Sequence, residues 1–475
     1  MGKFYVTTAI DYVNGPPHIG HAIQKVWADV IARFHRQHGF DVWFLTGTDE
    51  HGVNIVRTAE KLGKTPRELA DENVIKFKGM REILNLSWND FIRTSDKKRH
   101  WPGAELMWKK LVESGDIYKK HYHGLYCEGH EAFVTTKDLK NGKCALHGKE
   151  PEVIDEENYF FKLSKYSETI KKKIKSDKLK ILPESRKNEI LSLIKNGLKD
   201  VSFSRPAKDI SWGIPVPNDP SHTMYVWCDA LTNYLSAIGY GRNNDWEKWW
   251  PCNLHVLGKD NLRFHAAIWP GMLLSAGLPL PKAIFVHSFI TVNGQKMSKT
   301  IGNITSPYNL VEKYGSDAVR YYFLREISSY DDGDFSYGKF KERYNADLAK
   351  GLGNLVSRVL TLAQKGKIKP VKNKVFASEI SRVEKSIKKY ISVFKFNDAI
   401  SLIWQLVSIG DKYIDEKKPW ALKPGSKEFR KIIGSLLFLI ADIGVLLSPF
   451  LPKTSEKISG QLKKRKTSIL FPQLK

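Results

Sequence analysis

The chain predicts an α/β fold: a Rossmann-like, doubly wound parallel sheet with a small inserted subdomain and a C-terminal all-α helix bundle. Three observations lead there. Residues 3–60 read strand, loop, helix, strand. From Asp116 to Asp200 the chain turns rich in Gly, Cys, His and Lys, and the α/β pattern resumes near Phe203. After about Tyr344, apolar residues recur at helical spacing and no strand pattern returns.

Each element has its own signal. Phe4-Tyr5-Val6-Thr7-Thr8 is rich in strand formers, and Gly15-Pro16-Pro17 marks a turn. From Gly20 to His38, Ile23, Val26, Trp27, Val30, Ile31 and Phe34 fall on one helix face. A strand is expected at Asp41–Leu45, with Thr46-Gly47-Thr48-Asp49 following it. Further strands are expected at Met224–Trp227, Leu254–Leu257 and Ala283–Val286. Leu352, Leu355, Val359 and Leu360, then Ile400, Ile403, Leu406 and Val407, suit the core of a helix bundle. The expected division is 1–115 and 203–287 for the two halves of the α/β domain, 116–202 for the insertion, 288–343 for a connecting region and 344–475 for the bundle.

With 475 residues the chain is long enough for two to four domains, and 42% hydrophobic content excludes a disordered protein. No secretory signal opens the sequence, and four cysteines make no disulfide framework, so a cytoplasmic location is expected. Ile432–Leu451 is apolar enough to span a bilayer, yet it carries Asp442 and Pro449. A charge at mid-membrane is costly, so a buried bundle helix and no membrane contact are expected. The net charge is +25, and the residues from Lys341 onward hold 28 Lys and Arg against 11 Asp and Glu. A basic domain beside a less basic one points to a polyanionic partner, unless the excess is a general lysine bias.

Two short motifs carry chemistry. His18-Ile19-Gly20-His21 follows the first strand where a helix begins, and helix N-termini attract anions. Its two imidazoles can face one phosphate, and Gly20 leaves room for a purine. Lys296-Met297-Ser298-Lys299 lies in a loop after the strand-like run Phe289–Val292, and lysines three apart can grip a transferring pyrophosphate. Together, in this order on an α/β scaffold, they indicate an ATP site made of His18, Gly20, His21, Lys296, Ser298 and Lys299.

The motif pair resembles the two signatures of class I aminoacyl-tRNA synthetases. The sequence between them is similar to the methionyl-tRNA synthetase family. The matching stretches are Ala9-Ile10-Asp11-Tyr12-Val13-Asn14-Gly15, Thr46-Gly47-Thr48-Asp49-Glu50-His51-Gly52, Tyr225-Val226-Trp227-Cys228-Asp229-Ala230 and Gly258-Lys259-Asp260. His265 with Trp269, and Val292-Asn293-Gly294-Gln295, extend the match. The resemblance covers nearly the whole chain. It implies that ATP, with Mg²⁺ on its phosphates, activates L-methionine to an adenylate, and that the methionyl group passes to tRNA(Met), initiator and elongator alike. His18, His21, Lys296, Lys299 and Arg205 are then the catalytic residues. Ile10, Tyr12, Trp227, Ala230, Tyr234, Asp260, His265 and Trp269 line the methionine site, and Asp49 receives the substrate ammonium. Leu231 and Asn261 depart from residues found in some members, which leaves the fine shape of the pocket open.

Cys127-x2-His130 and Cys144-x2-His147 have the spacing of a closed tetrahedral Zn²⁺ site, with an unmetallated subdomain as the alternative. By resemblance, residues 288–343 hold the lysine loop and contact the tRNA stem, and Asn354, Arg358 and Trp420 read the anticodon. From the residues alone, a Trp beside a Pro turn reads as core. The insertion is too short for a large editing domain, and ending at Lys475 suggests a monomer. The alternatives are another nucleotidylyl transferase, or a tRNA-binding paralogue without catalysis.

Overall fold

The computed structural model describes residues 2–127, 132–134, 139–145, 148–297, 302–366 and 368–474. The chain forms two units. One comprises residues 1–17, 41–79 and 88–286, and the other residues 18–40, 80–87 and 287–475.

The first unit is built on a seven-stranded sheet. Lys3–Thr8 lies in its middle, parallel to Asp41–Asp49 on one side and to Leu254–Gly258 on the other. Asp11–Tyr12 and Asp90–Arg93 both pair in parallel with Asp41–Asp49. The chain therefore leaves the central strand in both directions, and the crevice at its carboxyl end is the switch point where open α/β sheets bind ligands. The core beneath holds Tyr5, Leu45, Ile92, Leu257 and Val286.

Three expectations are corrected here. The second strand does not stop at Leu45 but runs on through Asp49, with residues 44–49 buried. Both faces are covered, so the polar run Thr46-Gly47-Thr48-Asp49 stays in the ladder. Gly47 permits this, since a Cβ there would stand 2.2 Å from the Ile92 carbonyl oxygen of the neighbouring strand. The strand expected at Met224–Trp227 ends at Met224, and Val226–Leu231 is a helix. All six of its residues are buried, so no periodicity separates strand from helix. Finally, Lys180–Leu182, counted with the insertion, is an edge strand of the main sheet, parallel to Ala283–His287. Ile170, Ile174, Ile190 and Ile194, on the helices flanking it, pack into the same core. What stands apart is a four-stranded sheet centred on the antiparallel pair Ile117–Cys127 and Glu152–Phe161.

The second unit is mainly helical. Ile19–Gln37 is its first helix, with Trp27 buried and its ring stacked on Phe396 at 6.1 Å. Asn354–Gly366, Lys374–Ser392, Phe396–Lys417, Lys427–Leu447 and Pro452–Lys464 form the bundle. Every bundle-core residue expected from periodicity is buried. The apolar run at Ile432 lies in the helix Lys427–Leu447, and among the described residues no helix is long and apolar enough to cross a membrane. Arg320, fully buried, pairs with Asp29 at 2.8 Å and donates to the carbonyls of Leu84, Pro449 and Phe450.

Candidate active site

His18 is the N-cap of helix Ile19–Gln37, in an extended conformation. Its Nδ1 accepts the Gly20 N–H at 3.1 Å, while the His18 N–H donates to His21 Nδ1 at 3.1 Å. The two rings lie 3.8 Å apart. Both side chains thus accept through Nδ1, so each neutral ring carries its proton on Nε2 and presents an N–H donor. Burial, with Lys25 nearby, pushes the His21 pKa down to about 3. At neutral pH His21 is a donor rather than a cation. Gly20 is required by the His18 ring, since a Cβ would stand 2.8 Å from its Cε1. That space lies against an imidazole, where the sequence suggested room for a purine.

The lysine motif opens on a hairpin. Ile290–Val292 pairs with Gln295–Lys296 through Asn293-Gly294, whose φ values of 52° and 74° fit a type I′ turn. Lys296 is exposed and Asn303 Nδ2 donates to its carbonyl at 3.2 Å. The Met297 methyl lies 3.5 Å from a Cβ built on Gly20, and Ile19 N donates to Thr305 O at 3.1 Å. The second unit therefore brings the two motifs together. Ser298 and Lys299 lie outside the described residues.

The methionine-site candidates all belong to the first unit. Tyr12 and Asp49 are register partners on adjacent parallel strands, and Asp49 is buried. A Cβ on Gly47 would meet Ile10 Cγ2 at 3.1 Å, which places Ile10 over the same strand end. Tyr234 Oη lies 2.6 Å from His265 Nε2, and His265 Nδ1 lies 3.0 Å from Asn261 O. The carbonyl fixes the tautomer: His265 donates from Nδ1 and accepts the tyrosine O–H at Nε2. Burial pushes the His265 pKa down to about 4, against the opposing effect of the Asn261 bond, so the ring is neutral. Trp269 packs on Tyr234 at 6.1 Å, and Trp227 on Phe264 at 4.9 Å. Ala230 is buried one turn along from Trp227. His265 sits in a π-helical turn, Phe264–Ile268, of a kind frequent at functional sites. Asp260 differs from the others in being exposed, on the turn Lys259–Asn261.

Arg205 is buried, stacks on Tyr225 at 5.0 Å and pairs with Glu156 of the inserted sheet. Sequence gave no sign of that partner, which lies 49 residues away. Arg205, Tyr225 and Trp227 line one wall of a cleft of about 470 Å³.

Comparison with known proteins decides what this geometry belongs to. The family model described as "tRNA synthetases class I (M)" matches residues 4–138 and 133–360, and "Anticodon-binding domain of tRNA ligase" matches residues 373–475. The methionine–tRNA ligase of Brucella melitensis is 42% identical over 96% of this chain and 91% of its own length. The chain belongs to the class I methionyl-tRNA synthetases. The ligase of Caldanaerobacter subterraneus subsp. tengcongensis is 44% identical, over 97% of this chain and 74% of its own. The Mycobacterium tuberculosis methionyl-tRNA synthetase in complex with methionyl-adenylate superposes with a TM-score of 0.92 at 34% identity, covering 99% of both chains. As a family member this chain is an ATP-dependent methionine–tRNA ligase.

Two of the three bundle candidates, Arg358 and Trp420, meet. Asn354 begins its helix and is exposed, and Arg358 lies one turn on. The Arg358 guanidinium sits 5.5 Å over the Trp420 ring and pairs with Asp415 at 2.6 Å. Trp420 is 52% exposed, so the core reading of this residue fails. In the insertion Cys127 and Cys144 are buried in one small cluster with Val134. His130 and His147 lie outside the described residues.

Proposed function

We propose that the two motifs and the first-unit pocket divide the family's reaction as follows. Asp49 receives the methionine ammonium, and Trp227, Ala230, Tyr234, His265 and Trp269, with Ile10 and Tyr12, enclose the thioether. Aromatic rings are favourable partners for sulfur. Asp260, exposed on its turn, serves at the rim. The methionine carboxylate attacks the ATP α-phosphate, and pyrophosphate leaves. His18 and His21 donate Nε2–H bonds to phosphate oxygens, and Lys296 and Lys299, with Ser298, bind the departing pyrophosphate. Arg205 supplies a fixed positive charge to the anionic adenylate. Mg²⁺ bound with ATP would supply neutralisation of the phosphate charge. The tRNA 3′ end then accepts the methionyl group.

Asn354, Arg358 and Trp420 read the anticodon of initiator and elongator tRNA(Met). An exposed Trp held by an Arg is a platform for an unstacked base. Cys127 and Cys144, with His130 and His147, would hold a structural Zn²⁺, and the burial of two thiols in one cluster fits that ligand set.

The pairing of His18 and His21, with both protons held on Nε2, carries this reading. Lys299→Ala or His21→Ala is expected to cut methionine-dependent pyrophosphate exchange by about 100-fold or more, with unchanged circular dichroism. Exchange at the wild-type rate in either variant would remove the assignment.

A further inference from the structure

Four buried side chains of the first unit form a hydrogen-bonded chain that no step above uses. His51 Nδ1 lies 2.5 Å from Asp229 Oδ2, and His100 Nε2 lies 2.6 Å from Asp229 Oδ1. His100 Nδ1 lies 2.7 Å from Ser236 Oγ. His51 is 2% exposed, and His100, Asp229 and Ser236 are 0% exposed. An ionised carboxylate only accepts, so each imidazole donates to it, and His100 Nδ1 shares a further hydrogen bond with the Ser236 hydroxyl. Burial pushes the Asp229 pKa up, but its two imidazole partners overcome this and hold it down at about 2.

This is an expensive way to join elements. Apolar side chains of similar volume often hold buried surfaces together equally well, without the desolvation of a carboxylate. His51 Nε2 adds to the cost, being buried with no hydrogen-bond partner among the described residues. What polar bonds supply and apolar contacts do not is fixed direction and separation. The places joined are informative. His51 stands two residues beyond Asp49, and Asp229 lies on helix Val226–Leu231 between Trp227 and Ala230. His100 stands at the N-cap position of helix Trp101–Glu113, and Ser236 follows Tyr234 by two residues.

We propose that His51 is a positioning residue for methionine: through Asp229 it fixes the separation between the Asp49 carboxylate and the wall made by Trp227 and Ala230, with His100 and Ser236 bracing Asp229. Methionine offers two handles, an ammonium and a thioether, a set number of bonds apart. Holding the two protein partners at one spacing selects for that length. ATP uses neither handle, so the device acts on the amino acid alone. The proposal rests on the assignment of Asp49 and Trp227 given above.

Pyrophosphate exchange of the full chain tests it. His51→Ala is expected to raise the methionine KM about 10-fold, with the ATP KM and kcat within about 2-fold of the parent. His51→Gln, whose amide can still donate to Asp229, is expected to recover most of the loss. Equal rises in both KM values, no rise in either, or a Gln variant as impaired as Ala would overturn the proposal. Should His51→Ala not fold, Ser236→Ala decides. A rise of about 2- to 3-fold in methionine KM alone supports the clamp, and an unchanged methionine KM overturns it. Asp49→Asn run alongside separates the two layers: an unchanged methionine KM in that variant would refute the pocket assignment rather than the clamp.

Discussion

His18 and His21 each accept a backbone N–H through Nδ1, and that local bonding sets their chemistry. The motif was legible because its four residues are contiguous and its partners are its own backbone. Its protonation was not legible, because burial beside Lys25 is a property of the folded second unit. His265 in the first unit is depressed to about 4 and His287 in the second to about 4, in both cases by burial. The sign follows from proton counting: between about pH 4 and pH 6.5 the unfolded chain binds protons that these folded histidines do not. Stability is therefore full above about pH 6.5 and falls with acidification, by about 1.4 kcal/mol per pH unit for each such histidine. Denaturant unfolding between pH 7.5 and 4.5 should show midpoints falling steadily below pH 6.5. Midpoints flat across that range would contradict these shifts.

Among the elements, the helices with one-sided periodicity and the buried apolar strands Leu254–Gly258 and Ala283–His287 were read correctly, whereas the buried segments Thr46–Asp49 and Val226–Leu231 were not. The bundle helices show helical spacing because one face of each meets solvent. Val226–Leu231 is buried throughout, and its β-branched start reads equally as strand. Thr46–Asp49 falls outside the expected strand because it is polar, yet its polar residues bond inside the protein, with Thr8 Oγ1 and Thr46 Oγ1 2.7 Å apart and Thr48 Oγ1 2.6 Å from Glu50. Glu50 in turn is held by Arg93 at 2.7 and 2.8 Å, a pair no local pattern could reveal. The inserted sheet is small and carries the cysteine cluster, and the zinc proposed there would add to its stability. Metal analysis of purified protein should find about one zinc per chain, as a closed four-ligand site requires. A content well below that, with the insertion still folded, would leave Cys127 and Cys144 as packing residues.

The chain as a whole divides its labour between two units, and the boundary does not follow sequence order. Helix Ile19–Gln37 and residues 80–87 belong with the C-terminal half. Buried Arg320 shows one reason, joining Asp29, Leu84 and Phe450 within the second unit. No stretch of sequence signals such a contact. The concentration of positive charge in the bundle was legible, and there it accompanies the contact between Arg358 and Trp420. Trp420→Ala is expected to lower tRNA charging at least about 10-fold, the worth of one stacked base, while sparing adenylate formation. Equal losses in both activities would mean that Trp420 supports the fold and not the tRNA. The central claim is that the first unit encloses methionine for activation by ATP, and amino-acid-dependent pyrophosphate exchange across all twenty amino acids tests it most directly. Exchange with methionine alone is the predicted result. Exchange with another amino acid at a comparable rate, or with none, would contradict it.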